Sequence, residues 1–216
     1  MATPQELVPQ TESIAEVYAT DDVSATTAAP EHLKRFNGLV SRFHKVYNHR
    51  PDFVARSPGR VNIIGEHIDY NLYDVLPTAV SVDVIIAVKV VPSTGSESTV
   101  KISNVLPEKF PTREFTVPQD SDVEIDPTKH EWVNYFKAGL LGALKFLRKN
   151  SSFAPASMEV LVDGNVPPGG GISSSAAFVC SSALAVMKAN NHDVSKQDLL
   201  DLAVVSERAV GVYSGG

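Results

Sequence analysis

The residues best suited to chemistry lie in Pro167-Pro168-Gly169-Gly170-Gly171-Ile172-Ser173-Ser174-Ser175-Ala176, a run of glycines followed by hydroxyls that opens a long apolar segment. Glycines let backbone N–H groups converge without interference from Cβ, and the unpaired N–H groups of a helix N-terminus carry partial positive charge. The pattern therefore describes a cradle for an anion, with phosphate the natural occupant. A flexible Gly-Ser turn with a serine N-cap is the plainer alternative. Several better-known sites are excluded. No lysine follows the glycines as a P-loop requires, and Ser174 stands where a dinucleotide fingerprint needs its third glycine. A nucleophile elbow would need a closing glycine that this run lacks.

A second cluster lies about a hundred residues earlier. Arg60, Asn62, Glu66, His67, Asp69 and Asn71 crowd a single turn region. Carboxylates accept from sugar hydroxyls, imidazole and amide groups donate or accept, and an arginine holds a carboxylate or phosphoryl group in a fixed fork, so the cluster suits a polyol. Its alternative is a solvated loop with local salt bridges. As metal ligands Glu66, His67 and Asp69 are too close together to converge easily on one zinc ion.

These residues must be positioned by surrounding elements. Residues 1–30 have scattered apolar residues without period and read as a disordered tail, leaving 31–216 as the domain. Leu33, Phe36, Val40, Phe43 and Tyr47 form one helical face that ends at Pro51. Strands follow at Phe53 to Arg56, Arg60 to Ile64 and Val80 to Val91, with Pro58-Gly59 and the polar segment 65–71 as connections. Weaker strands are expected at Thr99 to Ser103 and Arg113 to Val117. A helix carrying Trp132, Phe136, Leu140, Leu144 and Leu147 comes next, and a strand from Met158 to Val162 enters the glycine loop. The segment from Ala176 to Ala189 is apolar on nearly every side and predicts a buried helix packed through Phe178, Leu184 and Val186. Ser195-Lys196-Gln197-Asp198 resembles a capping box opening a last helix to about Arg208. The alternation with an early strand block predicts an α+β layer.

Composition sets the remaining bounds. At 216 residues and 43% apolar content the chain can bury a sizeable core. A net charge of −6 without a basic cluster argues against nucleic acid as a main partner. The single cysteine, Cys180, permits no internal disulfide and reads as a small buried hydrophobe. No stretch approaches the length of a membrane-spanning helix, and the N-terminus is not a signal peptide, so no membrane partner and a cytoplasmic setting are expected.

With both clusters in view, the chain resembles the galactokinases of the GHMP kinase superfamily, the fungal form above all. Ser57-Pro58-Gly59-Arg60-Val61-Asn62-Ile63-Ile64-Gly65-Glu66-His67-Ile68-Asp69-Tyr70, continued by Val75-Leu76-Pro77, is similar to the family's galactose signature. Pro167 to Ala177 is similar to its ATP-binding motif, and Trp132-Val133-Asn134-Tyr135-Phe136-Lys137 adds a local match. The resemblance implies the superfamily's N-terminal domain, a mixed sheet with helices packed against it. It implies transfer of the γ-phosphoryl of ATP to the anomeric hydroxyl of galactose, with Mg²⁺ between phosphates and protein.

By the family pattern Glu66, His67 and Asp69 hold sugar hydroxyls, Gly215 approaches the sugar with its backbone, and Arg60 stabilises charge near the transferred group. Gly169, Gly170, Gly171, Ser173, Ser174 and Ser175 wrap the phosphates, Ser175 and Glu207 are the magnesium ligands, and Trp132 walls the adenine pocket. A tryptophan on an amphipathic helix is more often core, and a glutamate at a helix end more often solvated surface. Departures from the family pattern are Arg208 for a frequent histidine, Ile68, Ile172 and the pair Tyr73-Asp74, which takes the place of a frequent glycine.

The chain ends on Tyr213-Ser214-Gly215-Gly216, where the family continues with Met-Asp-Gln, whose aspartate is the implied base. That ending leads to the expectation of a fragment without the C-terminal domain, inactive by itself. Two alternatives remain from the resemblance: a galactose- and ATP-dependent regulator of a transcriptional repressor, and another small-molecule kinase of the superfamily. The intact Ser173-Ser174-Ser175-Ala176-Ala177 run favours the enzyme over the regulator, and Glu66 to Tyr70 favours galactose over mevalonate or homoserine.

Overall fold

The structure, a computed structural model, describes residues 5–18, 29–65, 73–93, 97–149 and 154–211. Five strands form one mixed sheet in the order β1-β2-β5-β3-β4, where β1 is Phe53–Ile64, β2 Leu76–Val91, β3 Ser98–Asn104, β4 Arg113–Val117 and β5 Ser157–Gly164. All neighbours run antiparallel except β3 and β5. The helices are α1 (Ile14–Val17), α2 (Ala29–Tyr47), α3 (Val133–Leu147), α4 (Ser174–Ala189) and α5 (Lys196–Glu207), with a short 3₁₀ turn at Arg208–Val210. Among the described residues no helix is long and apolar enough to cross a membrane.

The apolar run Val84 to Val88 in β2 follows from burial on both sides. Val84, Ile86 and Val88 face the main core with Phe136, Leu140 and Leu144 of α3 and Val186 and Met187 of α4. The alternate residues Ile85 and Ala87 join Leu161 of β5 under α2. The stripe that α2 buries is Leu39, Phe43 and Tyr47, whereas Leu33 is 45% exposed and Phe36 and Val40 are half-buried. The helix is thus rotated from the face its apolar spacing suggested. The Tyr47 hydroxyl fixes that rotation by donating to the carbonyl of Val160 at 2.8 Å.

Helix α4 is buried along most of its length, as expected, but apart from Met187 and its valines the buried side chains are small. Ala177, Ala183 and Ala185 are buried with Val179 and Val186, while Phe178 and Leu184 are half-buried. Small residues permit close approach. A Cβ on Gly139 of α3 would lie 2.5 Å from the Val179 carbonyl oxygen and 2.7 Å from the Ala183 nitrogen. The buried hydroxyls of Ser181 and Ser182 both donate to the Phe178 carbonyl, at 3.1 and 2.6 Å, and so need no outside partner. Cys180 is partly buried and packs against the core, with burial pushing its thiol pKa up.

Two expectations change. The Pro58-Gly59 pair is no turn between strands, because β1 runs through it with a register shift between Pro58 and Arg60. As an edge strand, β1 tolerates the missing proline N–H, and the irregularity leaves residues 80–82 of β2 opposite the single Gly59. The expected tail through residue 30 also has contacts. The Val8 amide donates to the Val194 carbonyl at 3.0 Å, the Lys196 amide to the Glu6 carbonyl at 2.8 Å, and the Gln10 side chain to Asp193 at 2.7 Å. Further on, Tyr18 stacks on His32 with ring centroids 3.9 Å apart and donates to Asp83 at 3.0 Å. Backbone pairs and single polar contacts leave no apolar period in the sequence, which is why this docking was not legible there.

Candidate functional site

The glycine loop leaves β5 after Gly164 and enters α4 at Ser174. Gly169 and Gly171 have φ of +72° and +70°, and Ser173 is also left-handed at φ +59°. The glycines take this conformation without a steric cost, whereas at Ser173 it costs roughly 1 kcal/mol. Among the described residues no atom lies within 4 Å of where a Cβ on Gly169 or Gly171 would stand, so that side of the loop is open to them. The first α4 bond in this region runs from the Ala177 amide to the Ser173 carbonyl at 3.0 Å. The amides of Ser174, Ser175 and Ala176 precede it and constitute the unpaired helix start that favours an anion.

Ser175 and Glu207 meet although they come from α4 and the end of α5, and the positive charge of Arg60 on β1 acts on the same carboxyl. The Ser175 hydroxyl donates to Glu207 Oε1 at 2.5 Å. Glu207 is 1% exposed, which removes it from the solvated-surface alternative. Burial pushes its carboxyl pKa up, against the Ser175 hydrogen bond and the positive charge of Arg60, which pull it down. A serine hydroxyl beside a buried carboxylate is a hard-oxygen donor pair of the kind Mg²⁺ accepts, and a cation there would offset the cost of burying the charge. Among the described residues no group of three or more His, Cys, Asp or Glu side chains could hold a metal; Glu66, His67 and Asp69, the residues of the zinc alternative, lie outside them.

The loop and the second motif are joined through their backbones. The Arg60 amide donates to the Ile172 carbonyl at 3.1 Å. A Cβ on Gly59 would meet that same carbonyl oxygen at 2.8 Å, which explains the glycine better than a turn does. Trp132 sits just ahead of α3, half-buried, with its indole N–H donating to the Pro111 carbonyl at 3.1 Å. Its ring stacks on Phe178 of α4 at 6.2 Å between centroids, close to the helix start. Glu66, His67, Asp69 and Gly215 lie outside the described residues.

A buried polar cluster went unnoticed in the sequence. Asp83, fully buried on β2, accepts from Arg56 Nε at 2.6 Å and from the Tyr18 hydroxyl at 3.0 Å, and it pairs with Arg35 Nη1. Its signal was an aspartate inside the β-branched run Val80 to Val91, where a charge requires partners. Burial and the Asp83 carboxylate push the Tyr18 phenol up to about 12.

The fold and its glycine loop place the chain in the GHMP class: the profile described as GHMP kinases N terminal domain matches residues 134–216. The galactokinase galactose-binding signature matches residues 41–90. A galactokinase of Candida maltosa is 41% identical, over 93% of this chain and 91% of the relative. One of Schizosaccharomyces pombe is 42% identical over 94% of this chain. The chain belongs to the galactokinase family. A crystal structure of Lactococcus lactis galactokinase complexed with galactose superimposes with a TM-score of 0.68 at 27% identity, covering 83% of this chain and 44% of that one. The chain spans about two fifths of the length of the Schizosaccharomyces pombe relative, at 40%.

Proposed function

We propose that this chain supplies the galactose-signature strand and the nucleotide loop of a galactokinase site. In the reaction the anomeric oxygen of galactose forms a bond to the γ-phosphorus of ATP, the bond to the bridging oxygen breaks, ADP departs and the hydroxyl proton is released. The observation that carries this reading is the pairing of Ser175 with the buried Glu207 at the start of the helix that follows the glycine loop, with the Arg60 amide on the Ile172 carbonyl at 3.1 Å.

Each part has a physical role. The amides around Gly169, Gly170, Gly171, Ser173, Ser174 and Ser175 take the phosphate oxygens, and Arg60 places positive charge beside the transferring group. Ser175 and Glu207 hold Mg²⁺, which when bound neutralises charge between the phosphates. Glu66, His67 and Asp69 orient the sugar hydroxyls, Gly215 closes on the sugar with its backbone, and Trp132 with Phe178 offers the adenine an aromatic shelf. The cytoplasm is the setting we propose for it.

Trp132 is the chain's single tryptophan, so its fluorescence reports on nucleotide binding. MgATP titrated into the purified protein is expected to change that signal saturably. The full-length gene product, as distinct from these 216 residues alone, is expected to convert galactose and ATP to galactose 1-phosphate in preference to mevalonate or homoserine. Saturable nucleotide binding with no preference for galactose in such a panel would overturn the substrate assignment. No nucleotide binding at all would overturn the whole reading.

A further inference from the structure

The ladder between β5 and β2 ends at Gly164 opposite Val84. Asn165 and Asp83 remain paired beyond it, by a mixed arrangement. The Asn165 amide donates to the Asp83 carbonyl at 3.1 Å, as in a ladder. The Asp83 amide, however, donates to the side-chain Oδ1 of Asn165 at 2.7 Å. In a continuing antiparallel ladder that second bond would go to the Asn165 backbone carbonyl. The side chain closes the ladder in place of the backbone, and the main chain is released to turn into the glycine loop.

Asp83 is a fixed point for this purpose. Its carboxylate is fully buried among Arg35, Arg56 and Tyr18. Arg35 also donates to the carbonyls of Asp83 at 3.3 Å and Asp163 at 2.9 Å, gripping the ends of both strands. At its far end the loop is held by the Arg60 amide on Ile172 at 3.1 Å, and between the two the Gly170 amide reaches the Pro167 carbonyl at 3.3 Å. Among the described residues a Cβ at Gly169 or Gly171 would have nothing within 4 Å, and one at Gly170 would meet only the loop's own Pro167 and Ile172. The direction in which the loop amides face is therefore set at its two ends.

We propose that Asn165 is a positioning residue for the phosphate loop. It touches no ligand, and it acts through Asp83 by fixing where the chain departs from the sheet. The proposal rests on the nucleotide reading only for its affinity arm. Hydrogen exchange read by mass spectrometry supplies an arm that needs no ligand. Asn165 is exposed, so truncating it opens no core cavity. In Asn165→Ala, and in Asn165→Ser as a second truncation, peptides covering residues 166–173 are expected to exchange faster. Central β2 and the later turns of α4 should keep their protection. Asn165→Asp retains the acceptor oxygen and should restore slow exchange. The ATP dissociation constant should rise about tenfold in the truncations, the loss of roughly one hydrogen bond, and recover in Asn165→Asp, with galactose affinity unchanged. Unaltered loop exchange, a rise spread evenly through the domain, or failure of Asn165→Asp to restore protection would each overturn the proposal. Should wild-type protein bind no ATP, the functional reading falls, and the exchange arm still decides the role of Asn165.

Discussion

The main-chain amide of Arg60 donates to the carbonyl of Ile172 at 3.1 Å, so the strand that carries the galactose signature and the loop that carries the glycine-serine motif share a hydrogen bond. Backbone contact of this kind transmits displacement directly, because neither partner can rotate away as a side chain does. Gly59 makes it possible. A Cβ there would stand 2.8 Å from the Ile172 oxygen, 3.0 Å from Val80 Cγ2 and 3.2 Å from Val166 Cγ1.

Gly59→Ala is accordingly expected to destabilise the protein by about 1–3 kcal/mol, the usual range for an extra methyl forced into a packed site. That loss exceeds the few tenths to about 1 kcal/mol that alanine gains by restricting the unfolded chain. Urea unfolding checks the stability. The displaced carbonyl belongs to the phosphate loop, so MgATP affinity read by Trp132 fluorescence should fall in the same variant.

Two helical glycines should respond with opposite signs. At Gly139 an added Cβ meets the α4 backbone, 2.5 Å from the Val179 oxygen, so Gly139→Ala is expected to cost about 1–3 kcal/mol despite alanine's helix propensity. At Gly38 of α2 a Cβ would have nothing within 4 Å, so Gly38→Ala should stabilise by about 0.5–1 kcal/mol. Paired denaturation curves of the two variants test both statements. A stabilised Gly139→Ala would mean that α3 and α4 are further apart than described.

Why some of this was legible in the sequence and some was not follows from the range of the interactions. Ser195 caps α5 as its local pattern promised, accepting from the Asp198 amide at 3.0 Å and donating to Asp198 Oδ2 at 2.7 Å. That motif is complete within four residues. The glycine-serine loop is equally local, and its reading stands on residues adjacent in the chain. Gly59 differs, because its partner Ile172 lies more than a hundred residues away, and Pro-Gly in isolation reads as a turn. The face that α2 buries depends likewise on what lies beneath it. Leu33 belongs to the face that the apolar spacing picks out and Leu39 does not, but it is Leu39 that packs with Ile85 and Leu161. Glu207 became distinguishable from a surface glutamate only when α5 was seen to bring it under Ser175.

Asp83 offers a test of the face of the sheet opposite the loop. Removing its carboxylate in Asp83→Ala leaves Arg35 and Arg56, whose side chains are 17% and 25% exposed, without their shared counter-charge. A loss of about 3 kcal/mol is expected, at the lower end for a broken buried pair because both guanidiniums retain some solvent. Burial alone would raise the Asp83 pKa, but hydrogen bonds and charge from Arg35 and Arg56 hold it below its ordinary 3.8. The unfolded chain therefore takes up this proton at higher pH than the folded one. The stabilisation is complete above the ordinary value and lost as pH falls through the folded one. The gap between wild type and Asp83→Ala in urea midpoint should be widest near neutrality and close in acid.

Glu207 has the opposite sign. Its folded carboxyl holds a proton more tightly than an ordinary glutamate, mainly through burial, despite the Ser175 hydrogen bond and the Arg60 charge. Between the ordinary value of 4.5 and the raised folded one, the native state binds more protons than the unfolded chain, so stability falls as pH rises through that window. Glu207→Gln keeps the shape and a partner for the Ser175 hydroxyl but removes the buried charge. The variant is expected to be more stable than wild type near neutral pH, with the advantage vanishing in acid. It should also lose much of the magnesium-dependent part of ATP affinity, because a neutral amide is a poor ligand for a hard cation. Thermal unfolding across pH measures the first effect, and fluorescence titrations with ATP in magnesium and in chelator measure the second. Greater stability together with weaker MgATP binding is the signature of a charge retained for function. A variant less stable than wild type at neutral pH would instead make Glu207 a structural partner of Ser175 and Arg60.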